Sequence, residues 1–435
     1  MGVFSGAEAL GIVCSIIKMK LVALWLGATG VGLFGIYNTT VDTVSVITGL
    51  GLRQSGVREI AKNRSRRELF QRAVSLLRSW SWASGLAGAV LMSVAAPLLS
   101  VWFFGDTARW WDFMLLGGAM LLNSLIAGEQ AILQGGDFLK RLARASVSGS
   151  LVGLAISIPM FRYLGEVSVP LSILAYGISM MLFLILNRSR DIKYRLAPMN
   201  EMREGLGVVK LGGYIAAAMF ATNLAQMIFM SWLNREASTA EVGYFQAGNT
   251  LVFRYTSLIF SAVGLEFYPR MAANSHSANR ITLFVSHEIS LLLKVFTPML
   301  LIFLIFRGYV VNLLYTSDFE VIIPFITIAI FTVVLRSVST CMAFSIIARG
   351  DGKIYLLTES VDALIGLSLN ILLFSKYGLD GIGIAQVIWY AIYTVMVGAV
   401  YFGLYRLRIK ASAVRSMTVS VLVSALAIAV AYFWK

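Results

Sequence analysis

The sequence predicts an all-α polytopic membrane protein, built as two six-helix bundles related by a parallel repeat, with one further helix at the C-terminus. The chain has 435 residues, of which 58% are hydrophobic and only 13% are charged, against about 25% charged in an ordinary soluble domain. Stretches of about 20 apolar residues recur along the whole chain, and each is long enough to cross a hydrocarbon core of about 30 Å as a helix. A soluble protein is therefore excluded.

Thirteen stretches qualify as membrane spans. They are residues 5–26, 31–52, 80–103, 111–133, 146–164, 168–187, 207–231, 241–264, 288–314, 321–347, 358–377, 380–404 and 413–433. At about 20 residues each, these spans occupy more than half of the chain. No separate soluble domain is expected.

The basic residues predict the orientation of the spans. When alternate loops are assigned to one side, that side holds 24 lysines and arginines and the other side holds four. Cytoplasmic loops carry such an excess in membrane proteins, so we expect the N-terminus and the loop 53–79 to be cytoplasmic. The net charge of +14 is accounted for by this topology, and nucleic-acid binding is excluded.

Few residues are available for covalent chemistry. Cys14 and Cys341 fall inside predicted spans, and His276 and His287 share one loop without carboxylate or cysteine companions. Neither a disulfide framework nor a metal site nor a cofactor is expected. The loops opposite the basic side are short, and no catalytic or phosphate-cradling pattern occurs, so transport is favoured over an enzymatic reaction. The first apolar run has no basic region before it, so no removable signal peptide is expected.

An internal repeat predicts the two bundles. Residues 31–41 (VGLFGIYNTTV) align without gaps to residues 242–252 (VGYFQAGNTLV) with six identities, and Gly165 corresponds to Gly378 at nearly the same offset. Spans one to six therefore match spans seven to twelve, and both halves begin on the same side because six is even. The expected divisions are an N-lobe at 1–206, a C-lobe at 207–406 and a thirteenth span within 407–435.

Four stretches carry a resemblance to a known family: FSGAEALGIVCSIIKMKLVALWLGATGVGLFGIYN, GLGLRQSGVREIA, QGGDFLKRLARAS and EVGYFQAGNTL. They resemble the O-antigen (Wzx-type) flippases, which share the multidrug/oligosaccharidyl-lipid/polysaccharide exporter superfamily with multidrug extruders and lipid II flippases. The resemblance implies two lobes arranged as a V in the bacterial inner membrane. It implies transfer of an undecaprenyl-pyrophosphate-linked glycan from cytoplasm to periplasm by alternating access. It also implies H+ or Na+ as coupling ion, and a polymerase and a chain-length regulator of the same pathway as partners.

Basic residues inside the spans are the candidates for substrate binding. A charge at a helix centre costs about 2.5 to 3.5 kcal/mol on insertion scales, so it needs a partner, water or a ligand. Lys18 is expected to face protein or water, whereas Lys20 can also snorkel to the outer interface. Arg254 and Arg336 lie in the middle of spans eight and ten, and Arg53 lies at the cytoplasmic rim, where topology alone also favours a cation. Together these residues predict a cationic central cavity for pyrophosphate.

Three carboxylates are candidates for ion coupling or for charge pairs: Asp42, Glu8 and Glu129. Asp42 lies in span two at about the depth of Lys18 in span one. Two interpretations stay open for Asp42, a structural ion pair with Lys18 or a titratable group that couples transport to an ion gradient. Glu129 lies toward the cytoplasmic side, as a gate residue or an interface carboxylate.

Polar side chains at helical spacing predict a water-filled cavity. Gln246, Thr250 and Arg254 recur every four residues on span eight, and further polar residues of the lining are Asn38 on span two and Asn223 and Gln226 on span seven. Polar stripes on several helices favour a wet cavity. Each stripe taken alone is also explained by hydrogen bonds between helices.

Two other functions stay open. A multidrug exporter of the same architecture would favour carboxylates that meet cationic drugs, whereas the mid-membrane charges here are mainly lysine and arginine. A non-transporting scaffold of a polysaccharide-export complex would need no charges within its spans. The sequence therefore favours the flippase.

Overall fold

The computed structural model of the protein describes residues 2–49, 51–188, 194–204, 213–274 and 276–433. Within these ranges the ordered elements are helices, and none is a β-strand. A helix satisfies its own backbone hydrogen bonds, which is the condition for crossing a bilayer without a closed sheet. The predicted all-α class is confirmed.

Two compact units divide the chain, Met1–Val242 and Gly243–Lys435. Helices of the first unit are α1 (Gly2–Gly49), α2 (Leu52–Lys62), α3 (Arg67–Phe104), α4 (Trp110–Gly135), α5 (Leu139–Tyr163), α6 (Ser168–Leu186), α7 (Met199–Glu204) and α8 (Gly213–Glu236). Helices of the second unit are α9 (Thr239–Asn249, which begins just before the boundary), α10 (Tyr255–Ala273), α11 (Ala278–Leu314), α12 (Ile323–Ala329), α13 (Thr332–Ala348), α14 (Gly352–Gly398) and α15 (Ala411–Phe433). The π-helical segment Thr250–Arg254 joins α9 to α10, and a second one, Ala399–Leu404, follows α14.

Helix α8 is predicted span seven, and it packs on α1 and α3 within the first unit. Thr39 Oγ1 donates to Met230 Sδ at 3.2 Å, and Ser231 Oγ donates to the Trp102 carbonyl at 2.8 Å. Asn234 Nδ2 donates to the Phe103 carbonyl at 2.9 Å. The division into lobes at residue 206 stays a prediction about the repeat.

Nine helices in the described ranges are long and apolar enough to cross a membrane, and a tenth span results if the pair Ser317–Ala329 and Thr332–Ala348, bent by 49°, counts as one. Two of the nine are much longer than one crossing: α1 has 48 residues and α14 has 47. A straight helix of that length would extend about 70 Å at 1.5 Å per residue. This is more than twice the hydrocarbon thickness, so α1 and α14 each supply two spans.

A glycine divides each of these long helices. Gly27 has φ 63° and ψ −159°, and Gly378 has φ 61° and ψ −142°. Residues with a side chain strongly disfavour this region, so glycine lets the chain interrupt a helix at a single position. Both glycines lie in the connections predicted between spans one and two and between spans eleven and twelve. Gly165, the repeat counterpart of Gly378, also has a positive φ of 60°.

Polar contacts join helices of the first unit near the turns that precede α4 and α6. The Tyr37 hydroxyl, which is fully buried, donates to Asp112 at the start of α4. Arg109 pairs with Glu166 in the turn before α6, and its Nη1 also lies 3.6 Å from Asp112 Oδ2. These contacts fix α1, α4 and α6 at this end of the unit.

The predicted thirteenth span is helix α15, which packs on α11. Thr297 Oγ1 donates to Ser420 Oγ at 2.9 Å, and Arg307 Nη2 donates to the Ala431 carbonyl at 2.7 Å. The guanidinium of Arg307 therefore has a hydrogen-bond partner in the last helix. This contact accounts for a charged residue inside span nine, and no role in substrate binding is needed to explain it.

Candidate functional site

The centre of the candidate site in the second unit is the guanidinium of Arg336, which lies one turn into α13 and is half-buried. Its Cζ lies 4.6 Å from the centre of the Phe260 ring and 5.8 Å from that of Phe253. Nη2 donates to Ser257 Oγ at 3.1 Å. These three neighbours are uncharged. Nη1 is buried and has no hydrogen-bond partner among the described residues.

Helix geometry explains why these three neighbours meet Arg336. Ser257 and Phe260 lie three residues apart on α10 and share one helical face, and Phe253 lies in the π-helical segment just before α10. The Phe260 ring stacks on Phe296 of α11 at 4.8 Å, and the Phe253 ring stacks on Tyr390 of α14 at 5.4 Å. Stacking therefore stabilises both phenyl rings at positions within cation–π distance of the guanidinium.

Two carboxylates lie one turn apart on α14 in the same unit. Tyr393 Oη donates to Glu359 Oε1 at 2.6 Å, and Trp389 Nε1 donates to Asp362 Oδ1 at 2.6 Å. Both carboxylates are half-buried, and both donors are neutral. Tyr390, which stacks on Phe253, lies between these two donors on α14. The carboxylate pair therefore borders the Arg336 site through this aromatic residue.

A π-helical segment lies within the polar stripe predicted on span eight. The π-helical segment Thr250–Arg254 has hydrogen bonds one residue longer than those of an α-helix, so positions after it are rotated relative to positions before it. Gln246 is half-buried with Oε1 unpartnered within the described chain, whereas Arg254 is exposed. The shared stripe of Gln246, Thr250 and Arg254 stays a prediction.

Lys18 of the first unit contacts two aromatic rings. Its Nζ lies 4.5 Å from the centre of the Phe34 ring and 5.5 Å from that of Tyr176 on α6. Aromatic faces attract a cation within about 6 Å, so these rings stabilise the half-buried ammonium group. Its pairing with Asp42 stays a prediction.

The other charged candidates of the first unit differ in exposure. Asp42 is exposed on the second half of α1, and Lys20 is half-buried on the first half. Arg53 is exposed at the second residue of α2. The side chain of Glu8 lies outside the described residues.

Three predicted lining residues of the first unit are half-buried: Asn38, Asn223 and Gln226. Asn38 Nδ2 donates to the Phe34 carbonyl of its own helix at 2.8 Å. The carbonyl of Asn223 accepts from Thr43 Oγ1 at 3.4 Å, across the contact between α1 and α8. Neither bond joins two of the predicted lining side chains across helices, so both explanations of these polar stripes stay open.

Glu129 is buried inside a cluster of charges and rings. Arg78 binds it at two points, Nε to Oε1 at 2.8 Å and Nη2 to Oε2 at 3.2 Å, and Arg188 Nη2 donates to Oε1 at 2.7 Å. Both guanidiniums lie 4.9 Å from the centre of the Tyr194 ring. Trp82 Nε1 donates to the Tyr194 hydroxyl at 2.9 Å. Of the two interpretations of Glu129, this geometry favours the interface charge pair.

Several residues that contact Arg336 or Glu129, or lie near them, were not predicted from the sequence. Phe253, Phe260 and Glu359 belong to the Arg336 neighbourhood, and Arg78 and Arg188 bind Glu129. A signal existed for Glu359, because it precedes Asp362 by three residues, and Trp389 and Tyr393 follow each other at a spacing of four on the next span. In the described part of the chain, no group of three His, Cys, Asp or Glu side chains is arranged to hold a metal ion.

A family model described as "Polysaccharide biosynthesis protein" matches residues 22–324 of the chain. No curated protein matches the sequence.

Solved structures share the fold along nearly the whole chain. The lipid II flippase MurJ in an inward closed conformation is similar with a TM-score of 0.70 and 13% identity, covering 99% of this chain and 98% of that one. An inward-facing multidrug resistance MATE family transporter of the MOP superfamily has a TM-score of 0.71 and 15% identity, with coverage of 97% and 95%. A MOP superfamily transporter from Pyrococcus furiosus has a TM-score of 0.59 and 15% identity, with coverage of 99% and 95%. At these identities the similarity establishes the fold alone.

Proposed function

The chain belongs to the polysaccharide biosynthesis protein family, and from this premise we propose that it flips an undecaprenyl-pyrophosphate-linked oligosaccharide across the bacterial inner membrane. The direction of transfer is from the cytoplasmic to the periplasmic leaflet, by alternating access. The glycan is a repeat unit of a surface polysaccharide, such as O-antigen. The cationic side chains within the spans bind the pyrophosphate.

The observation that carries this proposal is the unpartnered Nη1 of Arg336. The guanidinium has a serine hydroxyl on one nitrogen, phenyl rings within cation–π distance, and a buried donor with no acceptor among the described residues. A charge at such a position costs about 2.5 to 3.5 kcal/mol on insertion scales unless something compensates it. A phosphate group that binds during transport supplies both the opposite charge and the missing acceptor.

Arginine suits this ligand better than lysine does. A planar guanidinium offers two parallel N–H groups to two oxygens of one phosphate, whereas an ammonium group offers a point charge. In the first unit, Lys18 over Phe34 and Tyr176 supplies a second cation within a span. Lys18 and Arg254 have supporting roles in binding the anionic substrate. Asp42 couples transport to H+ or Na+.

One observation favours a second candidate, export of a cationic compound. Glu359 and Asp362 are half-buried, and the hydrogen bonds that they accept come from neutral groups, Tyr393 and Trp389. Half-buried carboxylates whose hydrogen-bond donors are neutral attract an organic cation or a coupling cation. If the carboxylates bind the transported compound, their removal abolishes transport of a cationic dye, and removal of Arg336 has no effect on it.

The experiment measures transfer of a fluorescent polyprenyl-pyrophosphate disaccharide and of a cationic dye in proteoliposomes that contain the purified full-length protein. We expect transfer of the lipid-linked sugar by the parent and a large loss in Arg336→Ala. Lys294→Ala is the matched control, because Lys294 is an exposed cation on α11 of the same unit. Equal lipid-linked sugar transfer by the parent and Arg336→Ala, or transport of the dye alone, would overturn the proposal.

A further inference from the structure

A strongly basic surface covers α2 and the turn that follows it. From Arg53 to Arg72 the chain carries seven lysines and arginines and only two carboxylates, Glu59 and Glu68. All seven are exposed, and the five that form no ion pair among the described residues define the basic face: Arg53, Arg58, Lys62, Arg66 and Arg67. The transport mechanism proposed above does not use this face as a whole.

The opposite side of α2 is fixed by packing. Ile60 is fully buried in a cluster with Leu77 and Ile132. A Cβ added to Gly56 would lie 2.7 Å from Leu77 Cδ2, and one added to Gly135 would lie 2.7 Å from Ile60 Cβ. Such close contact prevents α2 from rotating about its axis, so its basic side stays turned outward.

Nearby carboxylates are already engaged elsewhere. Asp137 pairs with Arg64 at 2.8 Å, and Glu201 pairs with Arg72 at 3.2 Å. Glu59 accepts from Asn63 Nδ2 at 2.7 Å. Among the described residues, none of the five cations of the basic face takes part in an ion pair. The face therefore keeps a net positive charge even when Glu59 and Glu68 are counted against its five cations.

We propose that the basic face binds the phosphate headgroups of anionic phospholipids in the leaflet beside α2. Helix α2 begins three residues after α1, a membrane-crossing helix, ends, so its exposed side chains are at the height of the headgroups. Topology alone requires only that cations be present in a loop. Here they are held on a packed helix and its following turn, which keeps several charges together at the membrane surface. Each such cation strengthens binding to an anionic surface about fivefold, by the figure of about 1 kcal/mol per residue.

The test titrates the full-length protein in neutral detergent with phosphatidylglycerol or phosphatidylcholine and counts bound lipids by native mass spectrometry. We compare the parent with a variant that carries Arg58→Gln, Lys62→Gln, Arg66→Gln and Arg67→Gln. The control removes four other exposed cations from loops and helix ends of the predicted cytoplasmic side, through Lys140→Gln, Arg144→Gln, Lys353→Gln and Arg415→Gln. Melting temperatures show whether each protein remains folded.

We expect the parent to prefer phosphatidylglycerol, the basic-face variant to bind it at least tenfold more weakly, and the control variant to resemble the parent. Raising the salt concentration should weaken the preference, because exposed charges are screened. Equal binding of the two lipids by the parent, or equal losses in the two variants, would overturn the proposal. Displacement of phosphatidylglycerol by inorganic pyrophosphate at equal concentration would also overturn it, because the face would then be a site for soluble phosphate. None of these outcomes depends on which substrate the protein transports.

Discussion

Arg78 and Glu129 form a two-point ion pair inside the first unit, with side chains that are 3% and 6% exposed. The pair joins α3 to α4, and Arg188 adds a second cation from beyond the end of α6. Ser79 Oγ, next to Arg78, accepts from the Ala197 backbone amide at 2.8 Å. The chain after α6 is thus anchored along α3 by buried and polar contacts.

This geometry predicts that Glu129 acts in stability. Glu129→Ala leaves the guanidiniums of Arg78 and Arg188 without their carboxylate. Removal of one member of a buried ion pair lowers the free energy of unfolding by about 3 to 5 kcal/mol. We expect a clearly lower free energy of unfolding in detergent, measured by denaturant titration. Glu68→Ala is the control, because Glu68 is exposed on α3. A Glu129→Ala protein as stable as the parent but inactive in transport would instead support ion coupling by Glu129.

Substitution of Arg336 by lysine separates charge from geometry. Lysine keeps the positive charge but has no planar fork for two phosphate oxygens, so Arg336→Lys should retain part of the transport activity that Arg336→Ala loses. Inorganic pyrophosphate binding, measured by calorimetry, should weaken in the same order. Full activity of Arg336→Lys together with full activity of Arg336→Ala would show that the guanidinium only joins helices.

Asp42 is expected to support transport through its charge. If Asp42 couples transport to protons, Asp42→Asn should reduce glycan export and leave the amount of protein in the membrane unchanged. If it is the structural partner of Lys18, the same substitution should lower the amount of folded protein, because the half-buried Lys18 ammonium group loses its partner. Surface glycan and membrane protein are measured in the same cells. If Asp42→Asn leaves both surface glycan and membrane protein at the parent's level, Asp42 neither couples transport to protons nor stabilises Lys18.

The left-handed glycine of α14 is expected to resist substitution. An added Cβ at Gly378 meets no atom within 4 Å, so Gly378→Ala tests the backbone alone. A side chain in this region costs of order 1 to 3 kcal/mol. Thermal unfolding should show a loss for Gly378→Ala. The control Gly11→Ala, in equally open space within α1, should lose nothing, since alanine favours a helix. Equal stabilities would mean that the helix passes position 378 without the kink.

Reporter fusions test the predicted orientation of the chain. A reporter enzyme that is active only in the periplasm should be silent after Arg66 and active after Ser238. A fusion after Lys435 should be active if α15 crosses the membrane. The physical reason is the excess of lysine and arginine in the loops on one side. Activity after Arg66 with silence after Ser238 would invert the topology.

Sequence periodicity and length predicted the helices well, because a span requires about 20 apolar residues and its ends are marked by local residues. Gly27 and Gly378 illustrate this. Each lies in a predicted connection and needs no tertiary contact for its conformation. The π-helical segment Thr250–Arg254 shows the limit. One additional residue in a helical turn rotates the side chains of all later residues about the helix axis. No residue pattern in span eight predicted this π-helical turn.

The sequence by itself determined that the chain crosses a membrane repeatedly and that Lys18 and Arg336 lie within spans, and it predicted that the basic loops share one side. These properties depend on local composition. Only the tertiary structure decided that Arg336 meets Phe260 and Ser257 of α10, and that Glu129 meets Arg188, which is 59 residues further along the chain. Such pairs depend on the rotation and tilt of each packed helix, which follow from all of its neighbours together.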